Sequence, residues 1–274
     1  MSAAVLFGSF FVLLLLTVPI GYAIGISSLI AIYYFSDIPL IIIAQKSITG
    51  VDSFPLLAIP FFMLAGNLMS SGGIARRLVN FFDALIGHVT GGLGMVTIIV
   101  CMFFAAISGS AVATVSAVGA FMIPEMVDHG YNKPFSAALT AAAGTIGVII
   151  PPSIPFVIYG VVSGTSITDM FTAGFMPGIM MGAALMIVCY FVSKKNGYRG
   201  KEKASSAKEI WVAFKDAFWA ILSPVIILGG IYSGFFTPTE AAVISVVYSF
   251  IVGVFVYKEL DVRGAYKSFK DAIV

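Results

Sequence analysis

Two short stretches hold the residues best placed to do chemistry: Ser108-Gly109-Ser110 within AAISGSAVATVSAVG (105–119), and Pro151-Pro152-Ser153 within GTIGVIIPPSIPF (144–156). Neither contains an ionisable group, so the chemistry open to them is that of hydroxyl oxygens and backbone polar groups. Serine and glycine hold a helix poorly. Adjacent prolines each lack an N–H and disfavour helical geometry in the preceding residue. Each stretch should therefore interrupt a helix and free backbone groups at the interruption. Carbonyls at the C-terminus of a half-helix favour a cation, and N–H groups at the N-terminus of the next favour an anion. A different use of the serines, as nucleophile of an intramembrane hydrolase at Ser108 or Ser163, needs a base at the same depth. The histidines, His88 and His129, sit at expected element ends beside charged residues, and no lysine lies inside an apolar run.

The elements that must position these stretches are membrane helices. The chain has 59% hydrophobic and 10% charged residues, with mean hydropathy +1.05, against about 25% charged in an ordinary soluble domain. Segments 1–36, 53–75, 84–124, 134–168, 170–193, 217–239 and 241–257 carry no Asp, Glu, Lys or Arg. A spanning helix needs about 20 apolar residues, so the expected class is all-α and polytopic. Alternating short strands, the mark of a membrane barrel, are absent from the pattern. A net charge of +2 gives no reason to expect a nucleic-acid partner, whereas membrane lipids are expected neighbours. Cys101 and Cys189 both fall in apolar runs and read as buried packing thiols. The opening MSAAVLFGSFFVLLLLTVPIGYAIG lacks a basic leader and is too long for a signal core, so it reads as a first membrane helix.

In chain order, the pattern predicts one long helix over about 4–35, with Pro19 and Gly21 satisfied by neighbours. A surface helix follows in SDIPLIIIAQKSITGVDSFP, then a span in LLAIPFFMLAGNLMSSGG. An amphipathic interfacial helix carrying Arg76, Arg77, Asp83 and His88 comes next. Leu93–Ile107 would measure about 22 Å, short of a bilayer core of about 30 Å. That segment and the piece after Ser110, which exits at Pro124, Glu125 and Asp128, form a re-entrant hairpin or one interrupted helix. A small-residue packing face through Ala105, Ser108, Ala111 and Ala113 is the competing reading. The next element breaks between Ile150 and Ser153, and two successive breaks favour exposed backbone used for binding. Asp169 reads as a helix-start acid and Glu240 as the capping acid of TPTE. The Gly174, Gly178, Gly182 ladder reads as a close helix contact. Seven of the fifteen Lys and Arg lie at 194–215, against Glu202 and Glu209. That excess makes the connection cytoplasmic by the positive-inside tendency. Similar apolar–Pro/Gly–apolar pieces stand on either side of it, each followed by an amphipathic piece carrying Lys, as at the start of an internal repeat.

SGSAVATVSAVGAFMIPEM, YNKPFSAALTAAAGTIGVIIPPSIPFVIYG and GFFTPTEAAVISVVYSF together resemble the large membrane subunit (DctM-like, M subunit) of tripartite ATP-independent periplasmic (TRAP) transporters. The resemblance runs along the whole chain. It implies an elevator-type, sodium-driven importer with inverted repeats in the bacterial inner membrane. It also implies a small membrane subunit (Q-type) and a periplasmic substrate-binding protein (P-type) as partners, and no organic cofactor. The substrate would be an organic anion, a carboxylate such as sialic acid or a C4-dicarboxylate. Sodium, the coupling ion, and the substrate would lie at Ser108, Gly109, Ser110, Gly144, Thr145, Ile150, Pro151, Pro152 and Ser153. The ion itself falls to Ser108, Ser110, Gly144, Thr145 and Ile150, mainly through backbone oxygens. The implied division is a first repeat, 1–193, with scaffold helices at 1–90 and the hairpin and broken helix at 91–193. The cytoplasmic linker is 194–215, and 216–274 begins a second repeat whose own hairpin, with the second sodium site, would lie beyond Val274. The neighbouring reading is a sodium/anion symporter of related architecture that works without a binding protein.

Overall fold

The computed structural model describes residues 2–36, 38–201 and 203–273. Met1, Asp37, Glu202 and Val274, which some expectations above touch, lie outside the described residues. The chain is all-α: helices and turns account for the described residues, with no strand among them. Five of these helices are long and apolar enough to cross a membrane.

The chain divides into two compact units, Met1–Ser53 and Phe54–Val274. In the first, α1 (Ser2–Leu15) and α2 (Ile20–Phe35) pack on each other, and α3 (Ile41–Val51) follows with no buried residue. The single long helix expected over 4–35 is therefore a helical pair. Thr17 takes a left-handed φ of 60°, and the Val18 N–H reaches back to the Leu13 carbonyl at 3.1 Å, closing the first helix. Pro19 then has no N–H with which to continue the ladder.

The second unit opens with a 3-10 turn, Phe54–Leu57, and α4 (Ala58–Ser71). Next comes α5 (Ile74–Ile86), which buries Ile74, Ala75, Leu78 and Phe82 while Arg76 stays exposed, the amphipathic helix that its pattern predicts. Two helices, α6 (Gly92–Ser108) and α7 (Ala111–Asp128), meet at Gly109. They are followed by α8 (Lys133–Thr145), a 3-10 turn at Ile146–Val148, α9 (Ile154–Ser163) and α10 (Ile167–Asn196). Then α11 (Ala207–Tyr232) and α12 (Pro238–Ile251) run into a π-helical turn at Val252–Val256, and α13 (Val262–Ile273) closes the described chain. Pro124 does not end its helix: α7 passes through it to Asp128, because only its last turn lies beyond the lost hydrogen bond. The polar connection is shorter as loop than its composition suggests, since α10 reaches Asn196 and α11 begins at Ala207.

Tyr198 of that connection settles whether α6 and α7 form a hairpin. Its carbonyl accepts from the Gly91 N–H at 3.1 Å, at the start of α6. Its hydroxyl accepts from the Asn132 N–H at 3.1 Å, just past the end of α7. Both outer ends are thus pinned to one residue, and the Ser108-Gly109-Ser110 tip points away from it. Seventeen residues of α6 make the arm about 25 Å long. From the matching break, α9 continues ten residues further, about 15 Å, so the tip stops inside the span. The arrangement is a re-entrant hairpin beside a broken helix.

A charged deck lies on the Tyr198 side. Arg77 pairs with Glu259 at 2.8 Å and with Asp216 at 3.2 Å, and Arg76 pairs with Glu259 at 2.8 Å. The Arg77 guanidinium lies 3.8 Å from the centre of the Tyr257 ring, and Lys201 pairs with Asp83. Burial works against the Arg77 charge, but the pairing with Glu259 and Asp216 outweighs it and raises the guanidinium pKa above its ordinary value. At the far side, Thr239 donates to the Phe54 carbonyl at 3.4 Å. The TPTE acid acts as expected: the Thr237 N–H donates to Glu240 at 2.8 Å, and the Glu240 N–H donates to Thr237 Oγ1 at 3.3 Å.

Candidate binding site at the paired helix breaks

Gly109 ends α6 in the left-handed conformation, φ 62°, with its N–H on the Ala105 carbonyl at 3.0 Å. Ser110, in extended geometry, then caps α7 by accepting from the Ala113 N–H at 3.4 Å. The second break repeats the device. Ser153 caps α9 by accepting from the Phe156 N–H at 3.4 Å and donates to the Val148 carbonyl at 2.7 Å. Pro155 sits in the first turn of α9, where its missing N–H does no harm.

The two breaks touch. The Ile154 N–H at the head of α9 donates to the Gly109 carbonyl at 3.2 Å, so α6 and α9 meet end to end. A Cβ on Gly109 would stand 2.7 Å from the Pro152 carbonyl oxygen. The same closeness joins the other halves. A Cβ on Gly147 would stand 3.1 Å from Thr114 Oγ1 and 3.2 Å from the Ser110 carbonyl, and one on Gly144 would strike Val115. The end of α8 and its 3-10 turn therefore lie against the first turn of α7. Glycine at 109 is demanded twice, by its φ and by this approach.

Hydroxyls fill the seam. Ser108, Thr114 and Ser153 are each fully buried. Ser108 and Thr114 share a hydrogen bond at 3.1 Å, and Thr114 donates to the Ser110 carbonyl at 2.8 Å. Ser108 also meets α4: a Cβ on Gly66 would stand 2.8 Å from its own Cβ. The carbonyls are less well served. Among the described residues no donor reaches those of Ala106, Ile107 and Ser108, nor those of Ile149, Ile150, Pro151 and Pro152. The prolines are the cause in the second break, since Pro151, Pro152 and Pro155 have no N–H to offer. Pro151 and Pro152 are buried, and buried carbonyls are seldom left without a partner. The Pro152 carbonyl faces Gly109 across the seam, whereas that of Ile149 lies against Gly174 of α10. Neutral oxygens gathered at a buried seam suit a hard cation.

Of the predicted site residues, the fold brings together Ser108, Gly109, Ser110, Gly144, Pro152 and Ser153. Ile150 lies at the break, but its side chain packs on Gly178 of α10. Thr145 is exposed and its hydroxyl turns back to the Ala142 carbonyl at 2.7 Å, away from the seam. Two seam residues escaped the sequence reading. Thr114 is four residues after Ser110, the spacing of a hydroxyl that bonds back along its helix, which is the signal that could have found it. Gly147 had no signal apart from the neighbouring glycine. The Gly174, Gly178, Gly182 ladder is a close contact, and its partners are now defined: Ile149 and Phe156, Ile150, and Met102 respectively. It seats the second break against α10.

A cleft of about 370 Å³ opens from the tip between α4, α7 and α13, lined by Asn67, Ser70, Ser110, Ser116 and Asp271 among others. It neighbours a second cleft of about 340 Å³ that shares Ser70, Ser116 and Ala117 and ends at Arg76 and Glu259. Ser108 and Ser163, the candidate nucleophiles, bond only to hydroxyl and carbonyl oxygens or backbone N–H groups among the described residues. Cys101 and Cys189 are free and buried, as packing thiols should be. Asp169 stands exposed at the start of α10, its N–H on the Ser166 hydroxyl.

Comparison with known proteins gives a consistent answer. A family model described as the tripartite ATP-independent periplasmic transporter, DctM component, matches residues 7–274. The isethionate TRAP transporter permease protein DctMQ of Oleidesulfovibrio alaskensis is 48% identical over 98% of this chain and 42% of its own length. The C4-dicarboxylate TRAP transporter large permease protein DctM of Rhodobacter capsulatus is 42% identical over 96% of this chain and 63% of its own. The sialic acid TRAP transporter large permease protein SiaM of Vibrio cholerae is 43% identical over 95% of this chain and 61% of its own. The chain thus spans about half the length of the curated relatives that it matches.

Proposed function

Since this chain belongs to the DctM component family of tripartite ATP-independent periplasmic transporters, we propose that it forms part of a sodium-coupled importer of an organic anion in the bacterial inner membrane. The relatives' substrates, named as isethionate, C4-dicarboxylate and sialic acid, are all anions and define the class. In this reading the chain works with a small membrane subunit and takes substrate from a periplasmic binding protein. Its transport step is an elevator-like movement of the hairpin and broken helix.

The observation that carries the proposal is the meeting of two helix breaks whose buried carbonyls lack donors. Sodium held there would give a partner to carbonyl oxygens of Ala106–Ser108 and Ile150–Pro152. At the N-terminus of α7 the Ala111 and Val112 N–H groups take no partner among the described residues. That end supplies N–H groups and a positive dipole that favour an anionic substrate alongside the ion. The first-turn N–H groups of α9 are already bonded. The polar cleft from Ser110 to Arg76 gives such an anion a way to the deck side. That side is cytoplasmic if the basic excess at 194–215 orients the chain.

The test is reconstitution of the full-length transporter with its small subunit in proteoliposomes. Uptake of labelled sialic acid, isethionate and succinate would be measured with and without the binding protein, under sodium or potassium gradients. Uptake of one of them that needs both sodium and the binding protein is the expected result. Sodium-dependent uptake without the binding protein would favour the independent symporter, and uptake indifferent to sodium would remove the ion from the mechanism.

A further inference from the structure

The last described helix, α13, is packed, apolar and basic on three separate faces. At about 100° per residue, Gly264 and Ser268 share the face against α4. There the Ser268 hydroxyl bonds to Ser71 Oγ at 3.1 Å and to the Asn67 carbonyl at 3.4 Å. Val262, Tyr266 and Phe269 fall on a second face within an arc of about 60°, and they are 87%, 74% and 55% exposed. Arg263, Lys267 and Lys270 fall on a third, about 100° round from the second. All three are exposed, and none forms an ion pair among the described residues.

The apolar face is one wall of a groove of about 470 Å³. Leu64 and Leu68 of α4 and Val246, Val247 and Phe250 of α12 form the other walls, and the lining is almost wholly apolar. Since α12 is long and apolar enough to cross a membrane, a groove lined by it belongs at membrane depth and the basic border at the membrane surface. The surface is the one that carries the deck, because Glu259, three residues before α13, pairs with Arg76 and Arg77. The basic connection 194–215 lies on the same side.

We propose that this groove and basic stripe form a binding site for an anionic phospholipid. An acyl chain fills the groove along Val262, Tyr266, Phe269 and Phe250, and the headgroup phosphate sits on Arg263, Lys267 and Lys270. Long basic side chains beside an apolar face can reach a headgroup while their stems stay in the interface. The charge complementarity selects an anionic lipid over a zwitterionic one. The site is independent of which solute the transporter moves. Through Ser268 it adjoins Asn67, which lines the cleft at the hairpin tip.

The test is native mass spectrometry of the purified full-length protein titrated with phosphatidylglycerol or phosphatidylcholine of identical chains. A basic side chain at a membrane surface enriches anionic lipid by about five-fold, so three should give at least a several-fold preference for phosphatidylglycerol. The variant Arg263→Gln/Lys267→Gln/Lys270→Gln should lose one retained phosphatidylglycerol. A control, Lys194→Gln/Lys195→Gln/Lys203→Gln, removes equal charge from the same side and should keep it. If the first triple variant does not fold, Lys267→Gln alone should show a smaller, graded loss. Equal retention of the two lipids by the wild type overturns the proposal, as does equal loss in both triple variants. No loss in the α13 variants overturns it too, and would point to protein covering this face instead.

Discussion

The deck around Arg77 and the seam around Gly109 are both polar clusters in an oily protein, yet they are built oppositely. Around Arg77, donors and acceptors answer each other, although Asp83 Oδ1 at the edge of the deck is buried without a partner among the described residues. Arg77 takes Glu259, Asp216 and the Tyr257 ring, and the Tyr257 hydroxyl donates to the Asp216 carbonyl at 2.9 Å while accepting from the Ala220 N–H at 3.1 Å. At the seam, the carbonyls of six buried residues, Ala106–Ser108 and Ile150–Pro152, have no donor among the described residues. A saturated network fixes structure. An unsaturated one, left so by prolines that have no N–H to give, offers oxygens to a guest, and that contrast is the physical basis of the sodium proposal.

Four substitutions in the full-length transporter probe that contrast, beginning with the largest effect. Gly109→Val forces a β-branched residue into the left-handed region and against the Pro152 carbonyl. Left-handed geometry alone costs about 1–2 kcal/mol for an L-residue, so uptake with protein amounts matched should fall at least about ten-fold. Arg77→Ala should act on the other side of the comparison. It leaves Asp216 unpaired and Glu259 with Arg76 alone, and strips the Tyr257 ring of its cation. Stability should fall by about 1–2 kcal/mol, seen as a drop in melting temperature. Half-saturating sodium should not change; a marked rise would mean that the deck and the seam are one system.

Replacing Pro151 and Pro152 together with Ala restores two N–H groups and lets helix spread across the break. Uptake should fall about three- to ten-fold, the scale set by relief of a proline interruption. Uptake at the wild-type level would show that the break has no part in transport. Ser108→Ala removes one neutral oxygen from a seam rich in carbonyls. A rise in half-saturating sodium of about two-fold is expected, within the modest net worth of a single hydrogen bond. A larger effect than that of Gly109→Val would shift the weight of binding from backbone to hydroxyls.

Much of the seam was legible because glycine, proline and serine write backbone physics directly into sequence. Pro151-Pro152-Ser153 announces a break whatever surrounds it, and the TPTE cap at Thr237 and Glu240 is local. Ser108-Gly109-Ser110 reads as a break, rather than as a packing face, only beside that second break. What stayed hidden was tertiary. Nothing around Tyr198, in a stretch read as a polar linker, says that it would tie both ends of the hairpin together. The contact of Gly109 with Ile154, 45 positions apart in the numbering, follows from helix packing and not from any local pattern. Thr145 reads like Thr114 in sequence, a hydroxyl near a break, but helix phase turns it outward. Pro19 was visible, yet its effect depended on Thr17 adopting a left-handed conformation that no threonine advertises.

The central claim is that the open carbonyls of the seam hold sodium, and equilibrium binding of radioactive sodium to the purified full-length protein tests it most directly. The account predicts saturable binding in the wild type, the same affinity in Arg77→Ala, and loss of a site in Gly109→Val. Wild-type sodium binding in a folded Gly109→Val protein would contradict it.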